Sequence, residues 1–211
     1  MDHQKTYDSQ EQPLSSPGPA FDIVALAASA GGLNALSQVL SQLPANFPVP
    51  VLIVQHLDPR HRSLMAEILR RRTSLPVKQA EEGDSLTAGI VYIAPPNRHL
   101  LVNPDRTLSL SQSELVHFLR PSADLMFDSV AASYKDRAIA VILTGTGKDG
   151  AMGVQAIRKM GGTVIAQDEA TSEFFSMPSA AIQMGADFVL PLSEIAIALV
   201  SLVMQPAEND A

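Results

Sequence analysis

Three residues of this chain combine side-chain types that together can cleave an ester or an amide: Ser29, His56 and Asp149. A serine hydroxyl is a poor nucleophile near neutral pH and needs an imidazole beside it to take its proton. The imidazole needs an acceptor of its own, usually a buried carboxylate, to fix its tautomer and stabilise its protonated form. Ser29 follows an apolar run directly, His56 follows one across Gln55, and Asp149 follows another across a glycine-rich turn. Ends of neighbouring parallel strands share one edge of a sheet, so groups far apart in sequence can meet there.

Each residue also admits a simpler role. Ser29-Ala30-Gly31-Gly32 precedes a helical pattern, so Ser29 could be an N-cap, or the glycines could cradle an anion at the helix start. The same turn could expose the Ser29 hydroxyl next to backbone donors for an oxyanion. His56 could be a strand-end histidine bonded to a loop carbonyl. Asp149 could cap the helix that follows it, with or without a catalytic part. Of the other histidines, His3 lies near the N-terminus and His61 sits between Arg60 and Arg62, where it reads as solvated. His99 and His117 lie near a hairpin and could line a cleft. No histidine pair has a metal-ligand spacing, and no cofactor is implied. Gly145-Thr146-Gly147-Lys148 is not a phosphate-binding loop, because Asp149 stands where Ser or Thr is required and Ile142 where the first glycine should be. The first turn also lacks the Gly-x-Gly-x-x-Gly of a dinucleotide site.

The elements that must position these groups alternate between strand and helix. Phe21 to Ala28 reads as a buried strand, and Leu33, Leu36, Val39, Leu40 and Leu43 mark the helix after it. Pro44 to Pro50 is a loop before Val51–Gln55, whose apolar run Val51–Val54 is typical of a strand buried on both faces. A helix from about Ser63 to Arg72 follows, its terminal Arg70, Arg71 and Arg72 solvated and favourable to the helix dipole. Glu81-Glu82-Gly83-Asp84 reads as an exposed acidic turn and Ile90–Ala94 as a strand. Leu100–Val102 and Thr107–Leu110 flank a hairpin tip at Asn103–Arg106. Then come a helix Ser122–Tyr134, a strand Ala138–Leu143, a helix Ala151–Met160 and a strand Thr163–Ala166. The remainder reads as a helix Pro178–Met184, a strand Phe188–Leu190 and a helix Ser193–Val203 capped by Ser193. Strands separated by helices predict an α/β, doubly wound, mostly parallel sheet with an antiparallel hairpin and helices on both faces.

The bulk composition sets limits. The 211 residues suit one α/β domain, and 46% apolar content can fill its core. A formal net charge of −7 gives a nucleic-acid partner no electrostatic support. The chain has no cysteine, which removes disulfides and a thiol nucleophile and fits a cytoplasmic setting. Its N-terminus lacks the apolar core of a secretory signal, and Ile195 to Met204 is shorter than the about 20 residues that span a bilayer. The expected organisation is a polar tail over 1–20, a catalytic domain over 21–204 and a short tail over 205–211.

Several stretches taken in order resemble the catalytic domain of the CheB family, the chemotaxis protein-glutamate methylesterases. They are Ala28-Ser29-Ala30-Gly31-Gly32, Val54-Gln55-His56-Leu57, Ala94-Pro95-Pro96-Asn97-Arg98-His99, Arg120-Pro121-Ser122-Ala123-Asp124 and Ile142 to Gly150. Gly162 to Asp168 and Ser176-Met177-Pro178 continue the likeness, which covers roughly Asp22 to Val203. The resemblance implies a triad of Ser29, His56 and Asp149 and an oxyanion site built from the backbone N–H groups of Ala30 and Thr146. It implies hydrolysis of glutamate methyl esters on the helical cytoplasmic domains of chemoreceptors, with release of methanol, and deamidation of glutamines. Lys148, beside the acid, is expected to point to solvent. The familiar enzyme carries a receiver domain, whereas residues 1–20 are too short for one, so a stand-alone domain is expected, controlled by a separate regulatory protein or constitutively open. The expected partner is a methylated receptor or another methylated protein, with neither nucleic acid nor membrane insertion. The competing readings are a catalytically idle scaffold of a chemotaxis-like pathway and a nucleotide-binding α/β protein.

Overall fold

The computed structural model describes residues 19–56 and 63–204. Its elements run β1 (Ile23–Ala28), α1 (Gly32–Gln42), β2 (Val51–Gln55), α2 (Met65–Arg70), β3 (Val77–Gln79), β4 (Val91–Ile93), β5 (His99–Val102) and β6 (Leu108–Ser111). They continue with α3 (Ala123–Tyr134), a 3-10 turn at Lys135–Arg137, β7 (Ala138–Ile142), α4 (Ala151–Lys159), β8 (Thr163–Gln167), α5 (Ser176–Gln183), β9 (Phe188–Leu190) and α6 (Leu192–Met204). Seven strands form a parallel sheet in the order β3-β4-β2-β1-β7-β8-β9, and β5 and β6 form a separate antiparallel hairpin. The expected fold class is the one found.

The three central strands are apolar apart from Gln55 at the end of β2, because both their faces are covered. Every residue of β1, β2 and β7 is buried. On one face, Ala25, Ala27, Leu52, Val54, Ala140 and Ile142 pack against α3, α4, α5 and the hairpin. On the other, Val24, Leu26, Ile53, Val141 and Ile165 pack against α1, α2 and α6. Alternate side chains of one strand therefore feed two cores, which pins the register, since a one-residue slip would exchange them.

The register also fixes where the chemistry can sit. Ala28 pairs with Gln55 across β1 and β2, and Ala27 pairs with Ile142 across β1 and β7. The three strands thus end level, and the loops after them leave from one edge. Between β1 and β7 the chain order reverses, because β1 leads outward to β2 on one side while β7 lies on the other. Open α/β sheets have a crevice at such a switch point.

Three local expectations need correction, and one strand was unforeseen. Ser193 lies inside α6, which begins at Leu192 directly after Pro191, so it is not the cap. The short strand β3 was unforeseen, because Val77-Lys78-Gln79 follows a proline and carries only one apolar side chain. Arg70 is not merely solvated: its guanidinium donates to the Val77 carbonyl and ties α2 to β3. The turn at 81–84 is not uniformly exposed, since Asp84 bonds Lys78 Nζ at 2.8 Å and the Glu81 N–H at 2.8 Å.

Gly150 opens α4 at φ 98°, and a Cβ there would come within 2.7 Å of Ile142 Cδ1. Gly150→Ala is therefore expected to cost about 1–3 kcal/mol of stability, through the left-handed backbone and the overpacked contact together. Denaturant unfolding measures this, and an unchanged midpoint would contradict it.

Candidate active site

Asp149 leaves the loop after β7 and points its carboxylate at the start of α3. The Ser122 hydroxyl donates to Oδ1 at 2.8 Å and the Asp124 N–H to the same oxygen at 3.1 Å. The Ala123 N–H donates to Oδ2 at 2.6 Å. The first N–H groups of a helix lack intrahelical partners and carry its positive dipole end, so an anion is favoured there. Oδ2 also bonds His56 Nε2 at 2.8 Å, with the carboxylate side chain 1% and the imidazole 8% exposed. Burial pushes the Asp149 carboxyl up, yet the His56 contact and the backbone donors outweigh it and hold the group below its ordinary value. A carboxylate so held is ionised and can only accept, so the proton between the two lies on Nε2; in the neutral tautomer this leaves Nδ1 as the acceptor.

The alternative in which Asp149 caps the helix following it does not hold. The N-cap of α4 is Gly150, with no side-chain cap. Asp149 instead serves the preceding helix, joining the Ser122 side chain at the start of α3. Ser29 is likewise not the cap of α1, whose N-cap is Gly31.

His56 is set by β2 and Ser29 by β1. The His56 N–H donates to the Ala28 carbonyl at 3.2 Å, extending the strand pairing by one residue. The Gln55 side-chain amide then bridges the two strand ends, donating to the Ser29 carbonyl at 2.8 Å and to the His56 carbonyl at 3.1 Å. This bridge was not anticipated from sequence. Among the described residues the Ser29 hydroxyl makes no hydrogen bond, to His56 or otherwise. His56 opens onto a cleft of about 230 Å³ and Ser29 onto a neighbouring hollow of about 270 Å³.

The loop after β7 is pressed against the Ser29 turn. The Ser29 N–H donates to the Thr144 carbonyl at 3.0 Å, and the Thr144 hydroxyl donates to the Ala30 carbonyl at 3.1 Å while accepting from the Phe174 N–H at 2.9 Å. That single hydroxyl ties the loops after β1, β7 and β8. Gly145 permits the approach, since a Cβ there would lie 2.3 Å from Met177 Sδ and 2.9 Å from Ser29 Cβ. Among the described residues, the N–H groups of Ala30 and Thr146 donate to no acceptor. Lys148 is exposed.

The remaining histidines divide. His99 does not line the cleft. It is fully buried, its Nδ1 accepting from the Ser122 N–H at 3.1 Å and its Nε2 bonding the Glu114 carbonyl at 3.0 Å. Burial lowers its pKa, so it is a neutral ring that braces the start of α3. His117 is 3.3 Å from Asp124, on the turn that also carries Phe118. Burial raises the Asp124 carboxyl, with the Asp149 charge adding to the effect, although the Gly153 N–H donates to it. His61 lies outside the described residues, which contain no cluster suited to a metal ion.

A profile of the family described as CheB methylesterase matches residues 24–199. A Leptospira interrogans chain, provisionally named a protein-glutamate methylesterase/protein-glutamine glutaminase, is 41% identical over 177 residues, covering 83% of this chain and 92% of that one. The protein-glutamate methylesterase FrzG of Myxococcus xanthus is 44% identical over 190 residues, 90% of this chain but 57% of FrzG, so this chain spans little more than half of that relative. The crystal structure of the Thermotoga maritima CheB methylesterase catalytic domain superposes with a TM-score of 0.83 at 40% identity, over 87% of this chain and 99% of that one. With the profile running through every element from β1 into α6, and with relatives this similar over most of its length, the chain belongs to the CheB methylesterase family.

Proposed function

We propose that the unit spanning residues 21–204 hydrolyses glutamate methyl esters on a methylated protein, releasing methanol, and deamidates glutamines by the same route. Ser29 is the nucleophile, His56 the general base and Asp149 the group that orients the imidazole. The observation that carries this reading is the 2.8 Å contact of His56 Nε2 with a carboxylate held ionised on a helix N-terminus, one strand away from a serine at the switch-point edge. The names borne by the relatives support the choice of substrate.

The steps follow from the tautomer. Ser29 Oγ closes on Nδ1, the ring nitrogen Asp149 leaves free, and gives up its proton as it attacks the ester carbonyl carbon. The oxygen that becomes negative accepts from the uncommitted N–H groups of Ala30 and Thr146, donors that need no reorganisation. Nδ1–H then protonates the departing methoxide, and methanol leaves an acyl-serine. Water enters, loses a proton to Nδ1 and attacks the same carbonyl. The products are a glutamate carboxylate and free Ser29, the ring having returned its proton to Oγ. With a glutamine, ammonia takes the place of methanol. Asp149 stays ionised and offsets the imidazolium charge in both halves. Hollows beside His56 and beside Ser29 give a substrate chain room to lie across the strand ends.

Ser29→Ala is expected to reduce methanol release from a methylated receptor cytoplasmic domain by roughly four to six orders of magnitude. Release at the wild-type rate would remove Ser29 from the mechanism. Asp149→Asn turns an NH2 toward donors that all need an acceptor and ceases to hold the proton on Nε2, so kcat should fall about 10⁴-fold. Folding should weaken as well, with a defined pH dependence. The Asp149 carboxyl lies below its ordinary value of 3.8 when folded, so its stabilisation is complete above that value and disappears as pH falls through the lower folded value. The stability gap between wild type and Asp149→Asn, measured by denaturant unfolding across acidic pH, should therefore be widest near neutrality and close toward low pH.

A further inference from the structure

The cleft beside His56 has a wall that the mechanism above does not use. It is lined by Asn97, Leu115, Phe118 and Arg120 among others. The Phe118 ring is 93% exposed and Leu115 is 52% exposed, on a turn in which His117 and Phe118 both take positive φ, 51° and 64°. The turn is closed by paired hydrogen bonds between Val116 and Leu119. Left-handed backbone at two successive bulky residues is costly and tends to persist where a site needs it. Here it holds an aromatic ring out in water at the mouth of the cleft.

Arg120 forms the floor of the same wall and is fixed there. Its Nε and Nη2 both donate to Asn97 Oδ1, at 3.0 and 2.8 Å, and its Nη1 donates to the carbonyls of Gln112 and Ser113 at 2.9 and 2.6 Å. All of these acceptors are neutral. Among the described residues no carboxylate pairs with Arg120, and one of its five N–H donors, on Nη2, is unused. Among the described residues, Arg106, Arg137 and Arg158 do have carboxylate partners, Asp22 or Asp187. A guanidinium oriented by four neutral contacts, half-buried and unneutralised, is a preformed anion receptor. Its location in a chain of net charge −7 sharpens the point, because an acidic substrate is repelled by the protein as a whole and must be drawn to a local positive field.

We propose that Arg120, flanked by Phe118 and Leu115, is a specificity-determining subsite that binds an acidic side chain next to the esterified glutamate while apolar substrate side chains pack on the exposed ring. This rests on the hydrolase reading above and adds the chemistry of the sequence around the ester. The subsite selects substrates by charge beside the scissile group, without taking part in bond breaking.

The test uses synthetic peptides bearing one glutamate γ-methyl ester, with the neighbouring positions either glutamate or glutamine. Wild-type protein should show a KM about 10- to 100-fold lower for the glutamate-flanked peptide, the range for one charge-assisted contact, with kcat little changed. Added salt should narrow that gap. Arg120→Gln should abolish the discrimination by raising KM on the acidic peptide selectively, and Arg120→Lys should restore part of it. Arg120 also braces its loop, so Arg120→Gln is expected to lower activity on both peptides to some extent; bracing alone would lower both by one factor and leave the ratio intact, and that result overturns the proposal. Equal KM values for the two peptides with wild-type protein overturn it without any variant. Absence of turnover on both, together with no labelling of Ser29 by a fluorophosphonate, would instead count against the hydrolase reading itself.

Discussion

The site depends on one buried charge. An ionised carboxylate removed from water costs several kcal/mol unless its oxygens are fully occupied. Asp149 meets that demand with the Ser122 hydroxyl, two α3 backbone N–H groups and the His56 ring. None of the four can be supplied by the loop that carries Asp149. The start of α3 must therefore arrive at the sheet edge, and the chain before it is braced to bring it there. His99, at the first residue of the hairpin, holds the Ser122 N–H from behind. Arg120 gathers the carbonyls of the preceding loop. The hairpin, which contributes no proposed catalytic residue, is thereby part of what fixes the acid.

The same helix end carries a second carboxylate, and the two cannot be equivalent. Asp149 takes the N-terminal donors and is held low, while Asp124 is raised by burial and by the Asp149 charge. Environments that push neighbouring carboxyls apart assign them different work. Asp149 faces the imidazole. Asp124 turns to the Gly153 N–H and to His117, binding α3 to α4 and to the turn that carries Phe118. One helix start thus joins the acid, the loop that exposes Phe118, and the packing of two helices beneath the sheet.

The sequence made legible whatever depends on neighbours along the chain. The apolar runs of β1, β2 and β7 could only be strands covered on both faces, and Ser29 and His56 stand at the ends of those strands. Ser122 was readable as part of a helix start because capping is a short-range preference. What stayed hidden depends on contacts across long separations. Asp149 beside Gly150 and a helix looks like a local cap, and nothing nearby in sequence says that its partners lie at residues 122–124. His99 looks like a cleft residue until the Glu114 carbonyl and the Ser122 N–H enclose it. Gln55 reads as a polar strand terminus, yet its amide joins two strand ends. β3 was missed because a short strand beside β4 takes its stability from that pairing and from Arg70, not from its own composition.

In the proposed mechanism, the strand order explains which imidazole nitrogen does which task. Along the edge, the serine strand β1 lies between the histidine strand β2 and the acid strand β7. The carboxylate therefore comes to His56 from the strand beyond the serine strand, although it is the group in contact with the ring. Nε2 is the ring nitrogen farther from the backbone and Nδ1 the nearer, and it is Nε2 that contacts Asp149. In the proposed mechanism Nδ1 then serves Ser29 on the adjacent strand. This exchanges the two nitrogens relative to the chymotrypsin arrangement, in which Nδ1 faces the acid and Nε2 the serine. The exchange needs no special pleading from the chemistry, since either nitrogen can carry the proton. It follows from placing the proposed nucleophile on the middle strand, with the acid reaching the ring from a loop anchored on another helix.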